Sequence, residues 1–137
     1  MKKTSGQCLC GSVAFNILNE LRGVIFCHCG QCLKTHGHFS AYTEAYENDI
    51  EWREASSLSW YQSSTNAKRG FCKKCGASLF YKSDESDQIS VSAGCLEKPT
   101  NLIPSSHIYV TDASDYYEIT DNLPTFKADI DLSIIHC

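Results

Sequence analysis

Six residues, Cys27-His28-Cys29-Gly30-Gln31-Cys32, place three sulfurs in a C-x-C-x-x-C run. A chain that concentrates thiols so tightly must either tie them to metal or oxidise them. Two further pairs flank the run, Cys8/Cys10 upstream and Cys72/Cys75 downstream. All three groups must therefore be brought to order by whatever scaffold the remaining residues build.

The chain has 137 residues and nine cysteines. An odd number of cysteines, tight spacing and a polar start after Met1-Lys2-Lys3 point to metal thiolates in a reducing compartment, and so to a cytoplasmic protein. Buried free thiols with a disulfide or two are the competing account. One domain is expected over residues 1–137. At that length a core can form without metal. The formal charge of -4 argues against a nucleic-acid partner, which calls for a basic stripe. No apolar run is long enough for a membrane span. The local cluster Lys68, Arg69, Lys73 and Lys74 reads as a solvated face beside a metal knuckle, or as a field for an anionic ligand.

Period-two alternation is the main structural signal. Val13, Phe15 and Ile17 face one way in a first strand, and Cys8 and Cys10 share a face if that strand extends back to them. Further strands are expected at residues 23–27, 38–43, 50–52, 58–62, 77–81, 88–93, 107–110 and 116–119. Residues 30–37 read as a loop or one short helical turn. Short strands between turn signals predict an all-β domain.

Cys72-x-x-Cys75-Gly76 is a metal knuckle by spacing, with a glycine where the backbone needs positive φ. Cys8 and Cys10 can complete a closed Cys₄ set for structural Zn²⁺. Cys29/Cys32 could instead join Cys72/Cys75 in an ordinary zinc ribbon, but that leaves Cys27 unexplained. Left to themselves, Cys27, Cys29 and Cys32 form a three-ligand site with a fourth position for a soft ligand such as a substrate thiol. A free thiol is only about 3% ionised at neutral pH, so coordination raises the thiolate fraction by about 30-fold at most. Thiolate sites lose metal in air, so the central site is expected to be partly empty as purified.

Other residues carry weaker signals. His28 should turn its ring away from the central metal. His36 and His38 read as loop histidines that could line the mouth of that site. His107 has no partner visible in sequence. Cys95 reads as a small buried residue and Cys137 as a free thiol. Trp52 and Trp60 read as core or rim.

Together these residues resemble the family of glutathione-dependent formaldehyde-activating enzymes. The likeness rests on Cys8-Leu9-Cys10-Gly11-Ser12-Val13, the central run followed by Gly37, Phe71-Cys72-Lys73-Lys74-Cys75-Gly76-Ala77-Ser78-Leu79-Phe80, His107-Ile108 and Asp121-Asn122-Leu123-Pro124-Thr125-Phe126. It implies a small twisted multi-sheet zinc-binding fold, the β-tent. It implies a structural zinc on Cys8, Cys10, Cys72 and Cys75, and an active-site zinc on Cys27, Cys29 and Cys32. The implied reaction joins a glutathione-like thiol to formaldehyde or another small aldehyde, as a carbon–sulfur lyase of the S-(hydroxymethyl)glutathione synthase kind. A non-catalytic glutathione carrier and a structural zinc-binding module are the alternatives. Lys73, Lys74 and Arg69 are the expected partners of the tripeptide's carboxylates. The chain departs from the family pattern at Gly94-Cys95-Leu96-Glu97, where many members have Asp in place of Glu97, and at Tyr116-Tyr117, where many have Trp.

Overall fold

A computed structural model describes residues 2–129. Its chain order is β1 (Lys3–Gln7), β2 (Ala14–Leu18), β3 (Val24–Cys27), α1 (Gly30–His36), β4 (Ser40–Tyr46), β5 (Ile50–Glu54), β6 (Leu58–Ser64), β7 (Ala67–Cys72), β8 (Ser78–Ser83), β9 (Gln88–Ser92) and β10 (Pro104–Ile108). Short 3₁₀ turns occupy Glu47–Asp49, Ala93–Cys95 and Val110–Asp112. The fold is all-β, as expected. No helix among the described residues is long and apolar enough to cross a membrane.

The strands form two sheets, β1-β2-β5 and β10-β3-β4-β9-β8-β7-β6. Among the described strands, every strand pairing is antiparallel except β10 with β3. Val13, Phe15 and Ile17 are fully buried and enter a core with Leu79, Phe80 and Val91. That core joins residues of the smaller sheet to residues of the larger. A second cluster gathers the three central cysteines with Tyr42, Ala67, Tyr81 and Ile108. Phe80 and Tyr81 are neighbours on β8 and point to opposite faces, so one strand serves both clusters.

Several elements differ from the sequence expectation. The polar run of β1 was not anticipated: it holds its place by pairing with β2, where the Ser5 hydroxyl donates to Asn16 Oδ1 at 2.8 Å. Cys8 and Cys10 lie in a turn after β1 rather than in a strand, because Cys8 N–H bonds back to Val13 O at 2.9 Å. Residues 116–119 are a loop, not a strand. Their tyrosines are taken up by side-chain bonds to histidines instead of a ladder. The last strand begins at Pro104, where a missing N–H is tolerated at a strand start. Cys137 lies outside the described residues.

Candidate metal and thiol site

Two knuckles face each other. In one, β7 ends at Cys72, whose N–H bonds Ala77 O at 3.0 Å, and Gly76 N–H closes the turn on Cys72 O at 2.7 Å. In the other, Gly11 N–H bonds Cys8 O at 3.2 Å and Val13 N–H bonds Cys8 Sγ at 3.3 Å. Gly76 and Gly11 have φ of 78° and 81°, a region that a Cβ makes costly. The Sγ atoms of Cys8, Cys10, Cys72 and Cys75 lie within 4.8 Å of one another. Cys10 Sγ is 3.7 Å from Cys8 Sγ and 3.7 Å from Cys72 Sγ. Four thiolates about 2.3 Å from a tetrahedral Zn²⁺ are about 3.8 Å apart, so this set fits the ion. Hydrogen bonds from Ser12 lower the Cys10 thiol to about 6, while burial raises Cys72.

The central three converge from a strand end and a helix start. Cys27 closes β3. Cys29 is the N-cap of α1, its Sγ accepting Cys32 N–H at 3.4 Å, and Cys32 lies in the first turn. The helix ends on a left-handed Gly37 whose N–H bonds Leu33 O at 2.9 Å. All three sulfurs lie within 4.8 Å of one another, a donor set that could hold a metal ion. Cys27 and Cys32 are free thiols, whereas Cys29 is disulfide-bonded, so a metal could use all three only in the reduced chain. Cys32 Sγ receives Ser40 Oγ at 3.2 Å and Arg69 Nη2 at 3.8 Å. Donation from Cys27, helped by Arg69 and Ser40, lowers Cys32 to about 6, and Cys27 is raised in return.

Arg69 departs from its expected place on a solvated face. It is 6% exposed. Its Nε and Nη2 reach Gln31 Oε1 at 3.2 and 3.1 Å. Lys73 and Lys74 stay exposed on the outer knuckle. The basic cluster thus splits, with only Arg69 serving the central site.

The histidines are also more engaged than expected. His28 does turn into the protein: its Nδ1 shares a 2.6 Å bond with Tyr117 Oη, and its Nε2 a 2.7 Å bond with His107 Nδ1. His107 Nε2 then meets Asp121 Oδ2 at 2.8 Å. This relay clips the segment carrying Tyr117 and Asp121 onto the cysteine loop. Burial holds His28 down at about 4. Its only sequence trace was the family-like His107-Ile108 and Asp121 motifs, since the partners are 79 and 14 positions apart. His38 Nδ1 lies 3.1 Å from Tyr116 Oη, and His36 Nε2 lies 3.1 Å from Tyr42 Oη.

Two cavities flank α1. The larger, about 750 Å³, is lined by Cys8, Phe39, Gly94 and Cys95 among others. The smaller, about 240 Å³, is lined by Tyr42, Tyr61, Arg69 and Phe80 among others. Thr35, His36, Gly76 and Ser78 border both. None of the three central sulfurs lines either cavity. Cys95 is half-buried, donates to Ser92 O at 3.0 Å, and is raised by burial to about 12.

The fold and site define an all-β protein with one four-sulfur and one three-sulfur cluster able to hold metal ions. Residues 3–112 match the family described as glutathione-dependent formaldehyde-activating enzyme, and the chain belongs to that family. Tyr117 and Asp121 lie beyond the matched range. Over 131 residues the chain is 24% identical to an uncharacterized lyase of Schizosaccharomyces pombe, spanning 94% of each protein. A crystal structure of a Rhodobacter sphaeroides protein is similar in fold, with TM-score 0.59 and 24% identity over 73% of this chain and 97% of that one.

Proposed function

We propose that the chain is a zinc-dependent carbon–sulfur lyase-type enzyme that joins a glutathione-like thiol to formaldehyde or another small aldehyde. The convergence of Cys27, Cys29 and Cys32 as a three-sulfur set separate from a complete four-sulfur set carries the reading. Membership in the family, and a relative named a lyase, support it. In this proposal Cys8, Cys10, Cys72 and Cys75 hold a structural zinc, and Cys27, Cys29 and Cys32 hold the zinc of the active site. Zinc held there would supply ionisation of an incoming thiol.

The chain's own residues do the rest. Burial of the central sulfurs and Tyr42 keeps bulk water from the reacting atoms. The thiol sulfur forms a bond to the carbonyl carbon, the C=O π pair moves to oxygen, and the proton lost by the thiol ends on the new hydroxyl. Nothing leaves, so thiol and aldehyde sum to the S-hydroxymethyl product. Holding the two together must supply most of the rate gain, since ionisation alone is worth only about 30-fold. If the cysteines serve metal in the reduced chain, a reducing, cytoplasmic home suits them.

Two measurements test this. Reduced protein should carry two zinc ions by mass spectrometry, and Cys29→Ser should carry one with its fold retained; loss of both would assign the central cysteines to the structural site. Zinc-loaded protein should also speed adduct formation above the spontaneous rate, and failure to do so removes the enzyme. The burial of all three central sulfurs favours a second reading, a structural zinc module, which predicts no effect of added glutathione on either metal.

A further inference from the structure

The relay from Asp121 to Tyr117 has a direction as well as a path. Asp121 Oδ2 meets His107 Nε2 at 2.8 Å, His107 Nδ1 meets His28 Nε2 at 2.7 Å, and His28 Nδ1 meets Tyr117 Oη at 2.6 Å. Every ring nitrogen of the two histidines thus has a polar partner. Both residues are buried, His28 at 0% and His107 at 3% exposure. The carboxylate is pinned as well, since Asp121 Oδ1 accepts Leu123 N–H at 3.1 Å and leaves Oδ2 for His107.

The carboxylate end settles the sense of every bond. An ionised carboxylate only accepts, and a neutral imidazole has one donor nitrogen and one acceptor nitrogen. His107 therefore carries its proton on Nε2, facing Asp121. Its bare Nδ1 accepts from Nε2–H of His28. The bare Nδ1 of His28 accepts in turn from the Tyr117 hydroxyl. The Tyr117 proton is committed inward, and its oxygen is left to accept. Ser114 N–H also acts on that oxygen as a donor, in keeping with this sense.

We propose that Asp121 is a positioning residue that fixes the hydrogen-bond polarity of the relay, so that the Tyr117 oxygen is held as an acceptor beside the central cysteines. His28, the link next to Tyr117, lies between Cys27 and Cys29 in the chain. Burial, with the charges of Tyr116 and Cys27, raises the Tyr117 phenol, which sets the ring within electrostatic reach of the trio. The role rests on the proposed reaction for what meets that oxygen. There an acceptor receives a donor, the S–H of an incoming thiol or the O–H of the S-hydroxymethyl product, and disfavours a group that only accepts. Asp121 acts on that choice through three hydrogen bonds and without touching the reacting atoms.

Asp121→Asn should reverse the relay. Leu123 N–H keeps the amide oxygen, so the amide nitrogen faces His107 Nε2 and donates to it. His107 then carries its proton on Nδ1, His28 does the same, and Tyr117 turns its own proton outward. Nitrogen-15 spectra of the zinc-loaded full chain read these tautomers directly. Wild type should show Nε2–H on both rings, and Asp121→Asn should show Nδ1–H on both at unchanged zinc content. Tyr117→Phe should keep the wild-type tautomers, because the carboxylate remains. Adduct formation should fall about tenfold or more in both variants. The wild-type spectrum tests the polarity even if Asp121→Asn fails to fold. Charged rings or Nδ1–H in wild type, or wild-type tautomers in Asp121→Asn, would overturn the polarity. Reversed tautomers with an undiminished rate would overturn the role of Tyr117. If wild type shows the expected tautomers but makes no adduct above the spontaneous rate, the enzymatic reading falls while the polarity stands.

Discussion

At the scale of single residues, hydrogen bonding decides which side chains matter. His107 joins His28 to Asp121, with its own side chain nearly fully buried. His107→Leu leaves His28 Nε2 without a partner and should cost about 1–3 kcal/mol in urea unfolding. His36 is held at about 4, down from 6.5, chiefly by burial. The unfolded chain therefore binds a proton on this ring that the folded chain refuses. Its contribution is complete above about 6.5 and is lost as pH falls toward 4. His36→Gln should flatten the stability-versus-pH curve across that window relative to wild type. Neither effect was legible beforehand. A histidine's partners are set by strands far apart in sequence, and Arg69 looked like one of four surface cations because spacing cannot tell which side of β7 is covered.

At the scale of elements, the cysteine loops follow local rules that the sequence does display. Gly76 takes φ of 78° with open space around it, so Gly76→Ala should cost about 1–2 kcal/mol from backbone strain alone, read as a shift in the urea midpoint of metal-loaded protein. Cys29 caps α1 as well as offering a sulfur. Serine is also a good cap, so in reductant Cys29→Ser should keep helix stability while Cys29→Ala loses about 1 kcal/mol more. The spacing of Cys72, Cys75 and Gly76 revealed its knuckle because every needed contact lies within six residues. The Cys8/Cys10 turn was less visible, since its closing partner Val13 also belongs to an apolar alternation. β1 leaves no alternation in the sequence because pairing with β2, rather than its own side chains, makes it a strand.

At the scale of the whole molecule, the four-sulfur cluster links the two sheets. Cys8 follows β1 in the smaller sheet and Cys72 ends β7 in the larger. Its loss should therefore cost more than loss of the central cluster. Cys72→Ser is expected to lower the melting temperature further than Cys32→Ser, and chelation should unfold the chain in two calorimetric steps if the sites empty in turn. Equal shifts would mean that the sheets hold together through the shared apolar core. The all-β class was readable from alternation, whereas the parallel seam between β10 and β3 was not, because nothing local marks which strands become neighbours. The same wiring sets an order of assembly on the ribosome. The central trio is complete once residue 32 has emerged, while Cys10 must wait for Cys72, 62 positions later. Short-range closure costs less chain entropy than long-range closure. The nascent chain can thus carry its three-sulfur loop before the four-sulfur set that joins the two sheets is complete.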